Sequence, residues 1–444
     1  MTPGLSPQRR RDVLYALRRG AVPDAGLDLL AVGLERFERA VDDELDTATS
    51  GGAVVKAVRG EYGSGKTFFV RWLAERAKRL GMATAEVQIS ESETPLHRLE
   101  TVYRRLTERL TTSEYPASAL RAVVDAWLYA LEEDVLAGGE VPESDTARLG
   151  AEVDRLLEPR LAVVSRTAPG YAAALRGYRA ARQRQDRETA EALIAWLGGQ
   201  PHVAAAAKRA AGVKGELDHF GALGFLQGLL TVLRDSGHPG LLLVLDEVET
   251  LQRMRGDVRE RALNALRQLV DEVATGRFPG LYLVLTGTPA FFDGPQGVQR
   301  LPPLAQRLAT DFNTDARFDN PRAVQVRLPG FDQAGLVALG VKVRDIYADG
   351  ASAPSRLRSL ANDAYVGELA AAVAGHLSGR VGVAPRLFLK KLVGDVLDRI
   401  DQFEDFDPRL HYALTVRSDE MDDLERNSAA SSLDDVALDL GKHD

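Results

Sequence analysis

Residues Gly60-Glu61-Tyr62-Gly63-Ser64-Gly65-Lys66-Thr67 match G-x-x-x-x-G-K-[ST] at every fixed position. They come after an apolar run, Val54–Val58, and precede an amphipathic one, Phe68–Leu80, which stops at Gly81. Strand, glycine-rich loop and helix, in that order, make a cradle for phosphate. The glycines let the backbone turn tightly enough for its N–H groups to face phosphate oxygens. Lys66 would reach the β- and γ-phosphates, and the Thr67 hydroxyl would ligate magnesium. The helix starting near Thr67 would turn its positive end towards the same anion. Gly60, Glu61, Tyr62, Gly63, Ser64, Gly65, Lys66, Thr67 and the adjoining Phe68 are therefore the expected contacts of ATP, with Mg2+ beside it.

Four more apolar runs, Ala85–Ile89, Leu241–Leu245, Leu281–Leu285 and Ala323–Leu328, have the continuous Val/Ile/Leu character of strands buried on both faces of a parallel sheet. Helical patterns separate most of them, as at Arg259–Val273, where Leu263, Leu266, Leu269 and Val270 share one side. This alternation predicts an α/β fold with a doubly wound sheet. One connection is out of proportion: about 150 residues separate Ile89 from Leu241, where a dozen or so suffice for a crossover. Leu99, Tyr103, Leu106 and Leu110, then Leu120, Val123, Val124, Trp127 and Leu131, recur at helical spacing. A large helical insertion is expected, with a break near Ala137–Ser144, and its helices either thicken the core or bind a partner or DNA.

Beyond Leu328 the patterns at Asp332–Tyr347, Val366–Leu377 and Ala384–Phe403 predict an all-α C-terminal domain. From about Thr415 the acidic, Ser-rich composition predicts a disordered tail. The expected organisation is thus 1–90 for the N-terminal segment and the first half of the base domain, 91–235 for the insertion, 236–330 for the second half, 331–414 for a helical lid and 415–444 for the tail.

Composition narrows the setting. With 45% hydrophobic and 27% charged residues, the 444-residue chain has ample material for an ordinary globular core. It contains no Cys, which excludes thiol catalysis, thiolate zinc sites and disulfides and fits a cytoplasmic location. The N-terminus is polar and Arg-rich, so no secretory signal is expected, and no run approaches the roughly 18 apolar residues of a membrane span. A net charge of −8 argues against indiscriminate coating of nucleic acid and leaves a local basic groove open.

The run Leu241–Leu245 ends in two carboxylates, Asp246 and Glu247. Beside a phosphate loop, an Asp at a strand end holds magnesium and the next Glu can polarise the attacking water. Leu281–Leu285 leads into Thr286-Gly287-Thr288-Pro289. Either threonine could hydrogen-bond the γ-phosphate or the lytic water, or simply shape the turn before Pro289. Arg307, after Pro302-Pro303-Leu304-Ala305-Gln306, and Arg386, after Pro385, could neutralise charge on the γ-phosphate or be ordinary surface residues.

Four segments together carry a resemblance to a known family: Gly60–Thr67; Leu241–Thr250 with its Asp-Glu-Val-Glu-Thr; Leu281–Phe292 with Thr-Gly-Thr-Pro-Ala-Phe-Phe; and the opening Ala16–Pro23 with Gly26-Leu27 and Val32-Gly33. They resemble the ATP-binding proteins of BREX phage-defence systems, of the BrxD type, over roughly residues 10 to 414. The resemblance implies an AAA+-like P-loop NTPase near the origin-recognition and STAND ATPases. Its parallel five-stranded sheet would be ordered 5-1-4-3-2, with the large helical insertion and an all-α C-terminal lid. It further implies that Pro23 and Gly33 lie near the adenine, that Lys66 and Thr67 hold phosphates and magnesium, and that Asp246 and Glu247 are metal carboxylate and base. Thr286 falls near sensor 1, Arg307 near the arginine finger and Arg386 near sensor 2.

The implied activity is ATP hydrolysis that remodels or licenses a DNA-bound complex, carried out by a homo-oligomer with a helicase or methyltransferase partner and no membrane. The alternative is a slow-turnover switch that recruits a partner through its insertion. DNA, if contacted, would meet Arg176, Arg179, Arg182, Arg184 and Arg187, or Arg9, Arg10 and Arg11; the favoured reading of either group is a solvated helix face.

Overall fold

A computed structural model describes residues 6–377, 385–417 and 420–421. The expectation of a disordered tail therefore falls mostly outside the described residues. Two compact units divide the chain: Arg39–Val58 with Arg76–Val326, and Met1–Glu38 with Arg59–Glu75 and Arg327–Asp444.

The first of these holds a five-stranded parallel sheet of β1 (Val54–Arg59), β2 (Ala83–Gln88), β3 (Leu241–Asp246), β4 (Leu281–Gly287) and β5 (Gln325–Arg327). The order is β2-β3-β4-β1-β5, which is the expected 5-1-4-3-2 read from the other edge. Every residue of β3 and β4 is buried, which is why their sequences run apolar without alternation. The register sets Gln88 opposite Asp246 at the ends of β2 and β3. The last strand is shorter than the run Ala323–Leu328 suggests, because a turn closed by Ala323 N–H on the Asn320 carbonyl takes up its start.

A lysine in the middle of β1 needs an explanation, because Lys56 is only 3% exposed. It pairs with Glu44 of the helix Glu35–Thr49 and donates to the carbonyls of Pro321 (3.0 Å) and Ala323 (2.7 Å), while the Tyr282 hydroxyl of β4 donates to the same Glu44. Burial pushes the Lys56 ammonium down and the Glu44 carboxyl up, and their mutual attraction works against both shifts.

The long connection between β2 and β3 is helical: Leu99–Arg109, Leu120–Ala137, Thr146–Thr167, Pro169–Gln183, Arg187–Leu197, Ala205–Ala210 and His219–Asp235. Its apolar residues join those of the sheet in one cluster that runs from Leu106, Trp127 and Tyr171 to Leu241 and Leu283. Phe225 is a hub, with the rings of Tyr103, Tyr171 and Trp196 at 5.6, 5.1 and 5.1 Å. At Gly228 a Cβ would fall 2.6 Å from the Tyr171 ring, so only glycine lets these helices approach so closely. The insertion also touches the sheet edge, where Thr84 of β2 exchanges backbone hydrogen bonds with Thr111 (2.8 and 2.9 Å). The bridge pairs the edge strand at Thr84.

The other unit has its own core, built from Gln333–Ala348, Asp363–His376, Pro385–Lys390 and the residues after them, together with the N-terminal helix Pro7–Arg18. Arg18 clamps Asp398 through two bonds (2.6 and 2.7 Å), and Tyr347 donates to the same carboxylate at 2.7 Å. The helix expected at Ala384–Phe403 is present without a break over Pro385–Gln402, with π-type hydrogen bonding at Lys391–Leu397. Among the described residues no helix is long and apolar enough to cross a membrane.

Candidate functional site

The glycine-rich loop leaves the C-terminal end of β1 and runs into the helix Lys66–Arg79. Gly63 and Gly65 have φ of +78° and +88°, the left-handed region where a side chain is strained. At Gly60 a Cβ would meet the Ser64 Oγ at 2.2 Å, so the third glycine is required by close approach. Ser64 is itself 6% exposed, and its hydroxyl has no hydrogen-bond partner among the described residues. A buried hydroxyl of this kind fits a loop shaped around a hydrogen-bonding ligand. Lys66 folds back over the loop, donating to the carbonyls of Gly60 (2.8 Å) and Glu61 (3.2 Å) under the Tyr62 ring at 5.1 Å. Thr67 and Phe68 are half-buried at the start of the helix, and Phe68 packs against the apolar cluster of its own unit.

The segment expected near the adenine is tied to this same helix. Glu75 accepts from the N–H groups of Gly26 (3.0 Å) and Leu27 (2.8 Å), Trp72 donates to Asp28 at 2.8 Å, and Arg71 donates to the Val22 carbonyl at 3.1 Å. Pro23 is buried; Gly33 is exposed, with φ +75° and nothing within 4 Å of where its Cβ would be. Arg386 belongs to the same unit. It donates to the Glu420 carbonyl at 2.8 Å and lies against Gly20, where a Cβ would fall 3.1 Å from its Nη1.

Asp246 and Glu247 belong to the sheet unit. Asp246 is the last residue of β3 and is buried; Glu247 comes next with φ +57° and ψ +41°, a left-handed conformation that a non-glycine residue adopts at a cost. Backbone hydrogen bonding holds it there. The Glu247 N–H donates to Asp246 Oδ1 and to Thr286 Oγ1, both at 3.1 Å, and the Thr286 hydroxyl donates to Asp246 Oδ1. Gln88 closes the group from the other side by donating to Glu247 Oε2 at 2.8 Å. Of the two threonines left open by the sequence, Thr286 is the one that reaches the Asp246 carboxylate and the Glu247 N–H, whereas Thr288 starts the short helix Pro289–Asp293. Arg307 ends the helix Pro302–Arg307, where it pairs with Asp271 and donates to the Pro303 carbonyl at 2.7 Å.

Gln88 is the site residue that sequence reasoning misses. Its one signal is a polar residue next to the end of the run Ala85–Ile89, which also holds Glu86. The basic stretch of the insertion is largely neutralised within the chain. Arg176 pairs with Glu158, Arg182 with Asp125, and Arg179, 4% exposed, with Asp154 and Glu132.

Comparison with known proteins agrees with these motifs. The family described as BREX system ATP-binding protein BrxC/D matches residues 5–416. No curated protein matches the chain. Among solved structures, the ORC2 protein of Aeropyrum pernix, described in ADPNP-ADP complexes, is similar at 13% identity, covering 85% of this chain and 70% of that one with a TM-score of 0.36. A family match over nearly the whole length decides the assignment: the chain belongs to the BREX system ATP-binding protein BrxC/D family.

Proposed function

We propose that this chain binds ATP with magnesium at Gly60–Thr67 and hydrolyses it, coupling turnover to the remodelling or licensing of a DNA-bound partner complex in an anti-phage defence system. The observation that carries hydrolysis is the conformation of Glu247. A glutamate held in the left-handed region by two N–H bonds is a strained residue at the end of a buried strand, and such strain gathers at working positions.

Lys66 supplies charge to the β- and γ-phosphates, and the Ser64 hydroxyl, unpartnered among the described residues, and the loop N–H groups bind oxygens around it. Magnesium would be held by Thr67 and, through water, by Asp246, and it supplies charge neutralisation at the phosphates. Glu247 takes the proton of the attacking water, and Thr286 fixes the Asp246 carboxylate and the Glu247 backbone. Pro23 and Gly33 flank the base, Arg386 contacts the γ-phosphate of its own chain, and Arg307 contacts that of a neighbouring copy. A helicase or methyltransferase is the proposed partner, in the cytoplasm.

A second reading has one observation in its favour. The Gln88 bond occupies an oxygen of the proposed base, which suits a switch that turns over slowly and recruits a partner through its insertion. Measuring ATPase rate and particle size together, with and without double-stranded DNA, tests the choice. Turnover that rises with DNA and with assembly supports the remodelling ATPase; ATP binding without appreciable turnover under every condition sinks it.

A further inference from the structure

The turn that carries Glu247 is stapled on both sides to one residue beyond the neighbouring strand. Ile89 directly follows β2. Its N–H donates to the Asp246 carbonyl at 2.9 Å, and its own carbonyl accepts the Thr250 hydroxyl at 3.2 Å. The Thr250 N–H donates to the Glu247 carbonyl at 3.1 Å and so closes the start of the 3-10 helix Val248–Arg253. Glu247 therefore lies between two positions, 246 and 250, that are both tied to Ile89.

The anchor is firm. Ile89 is fully buried, and the chain leaving it turns so that the N–H groups of Glu93 and Thr94 donate to the Ser90 hydroxyl, at 3.1 and 3.0 Å. The Thr94 hydroxyl reaches back to the Gln88 carbonyl at 2.6 Å, which fixes the end of β2. Val248 and Leu251 of the stapled turn are buried in the core of the sheet unit. A glutamate stays in the left-handed region only where its surroundings over-determine it. The bonds from the Glu247 N–H to Asp246 and Thr286 hold one side of that residue, and Thr250 holds the other side to β2.

We propose that Thr250 is a positioning residue for ATP hydrolysis: its hydroxyl, bound to the Ile89 carbonyl, keeps Glu247 in its left-handed turn and thereby aims the carboxylate. This rests on the reading of Glu247 as the base. Thr250 acts through the backbone of that residue, so it contributes to the rate of the chemical step and not to ATP affinity. Valine keeps the shape of threonine and removes the donor, which frees the far side of the turn.

The test uses full-length chains carrying Thr250→Val, Thr250→Ser, Gln252→Ala, Glu247→Gln, and Thr250→Val with Glu247→Gln. Thr250→Val should lower kcat about three- to tenfold, the scale of one lost hydrogen bond, at unchanged affinity for a fluorescent ATP analogue. Thr250→Ser should keep most of the wild-type rate. Gln252→Ala removes a 3.0 Å bond from the same turn to the Ala290 carbonyl and should leave the rate unchanged. In the Glu247→Gln background Thr250→Val should add no further loss. Amide exchange at Glu247, which is read without turnover, should be faster in Thr250→Val than in the wild type or Thr250→Ser. A wild-type kcat in Thr250→Val, unchanged exchange at Glu247, an equal loss in Gln252→Ala or an undiminished loss in the Glu247→Gln background would each overturn the proposal. Full turnover in Glu247→Gln by itself removes the base, and that result is obtained without any Thr250 variant.

Discussion

Gln88 and Glu247 stand 159 positions apart in the chain and meet at the ends of adjacent strands, with the Gln88 amide donating to Glu247 Oε2 at 2.8 Å. This bond holds the carboxylate proposed as the base. Glu247→Gln should keep ATP binding and lose hydrolysis by about 10² or more. Gln88→Ala removes one exposed hydrogen bond and should raise kcat about two- to fivefold at unchanged ATP affinity. A fall in kcat would instead make Gln88 the group that aims the base.

Lys66→Ala should abolish ATP binding, because it removes the charge that faces the β- and γ-phosphates. Thermal melting with excess ATP is the simplest check, since a bound ligand raises the midpoint of the wild type. A midpoint that still rises in the variant would move the phosphate site elsewhere.

Arg307 ends a six-residue helix and is paired with Asp271, which Arg267 also holds at 2.8 Å. Asp271 therefore keeps a partner when Arg307 turns away. Arg307→Ala should bind ATP normally and hydrolyse it about 10³-fold more slowly. Mixing it with Lys66→Ala subunits should restore part of the activity if the arginine serves a neighbouring copy. A mixture no more active than its components, with the wild type monomeric in the presence of ATP and DNA, would exclude that arrangement.

Lys56 and Glu44 should behave as a buried pair. Glu44→Ala leaves the ammonium with two carbonyls and no counter-charge, and Lys56→Met leaves the carboxylate with Tyr282. Each is expected to cost about 3–5 kcal/mol in urea denaturation, and Lys56→Met/Glu44→Leu together should cost less than either. Additive losses in the double variant would show that the two residues act separately.

The sheet was legible because β1, β3 and β4 are largely buried and so read as apolar runs, and because Gly60–Thr67 demands a strand before it and a helix after it. The acidic strand end was legible for the same reason. The left-handed turn at Glu247 was not, since nothing in a glutamate announces a positive φ that hydrogen bonds to Asp246 and the distant Thr286 enforce. Gln88 was hidden because its partner lies on another strand, and the π-helical stretch because Lys391–Leu397 keeps helical spacing. Arg179 read as a solvated cation and is a buried one, because its carboxylates, Asp154 and Glu132, come from two other helices.

The backbone bridge between Thr84 and Thr111 gives the inserted helices a mechanical grip on the sheet. Thr84 lies on the same strand as Gln88, about 13 Å away at the usual rise per residue. A strand is stiff along its length, so a load placed on the insertion travels down β2 as along a push-rod. It arrives at the amide that holds Glu247, with no turn between Thr84 and Gln88 along the strand.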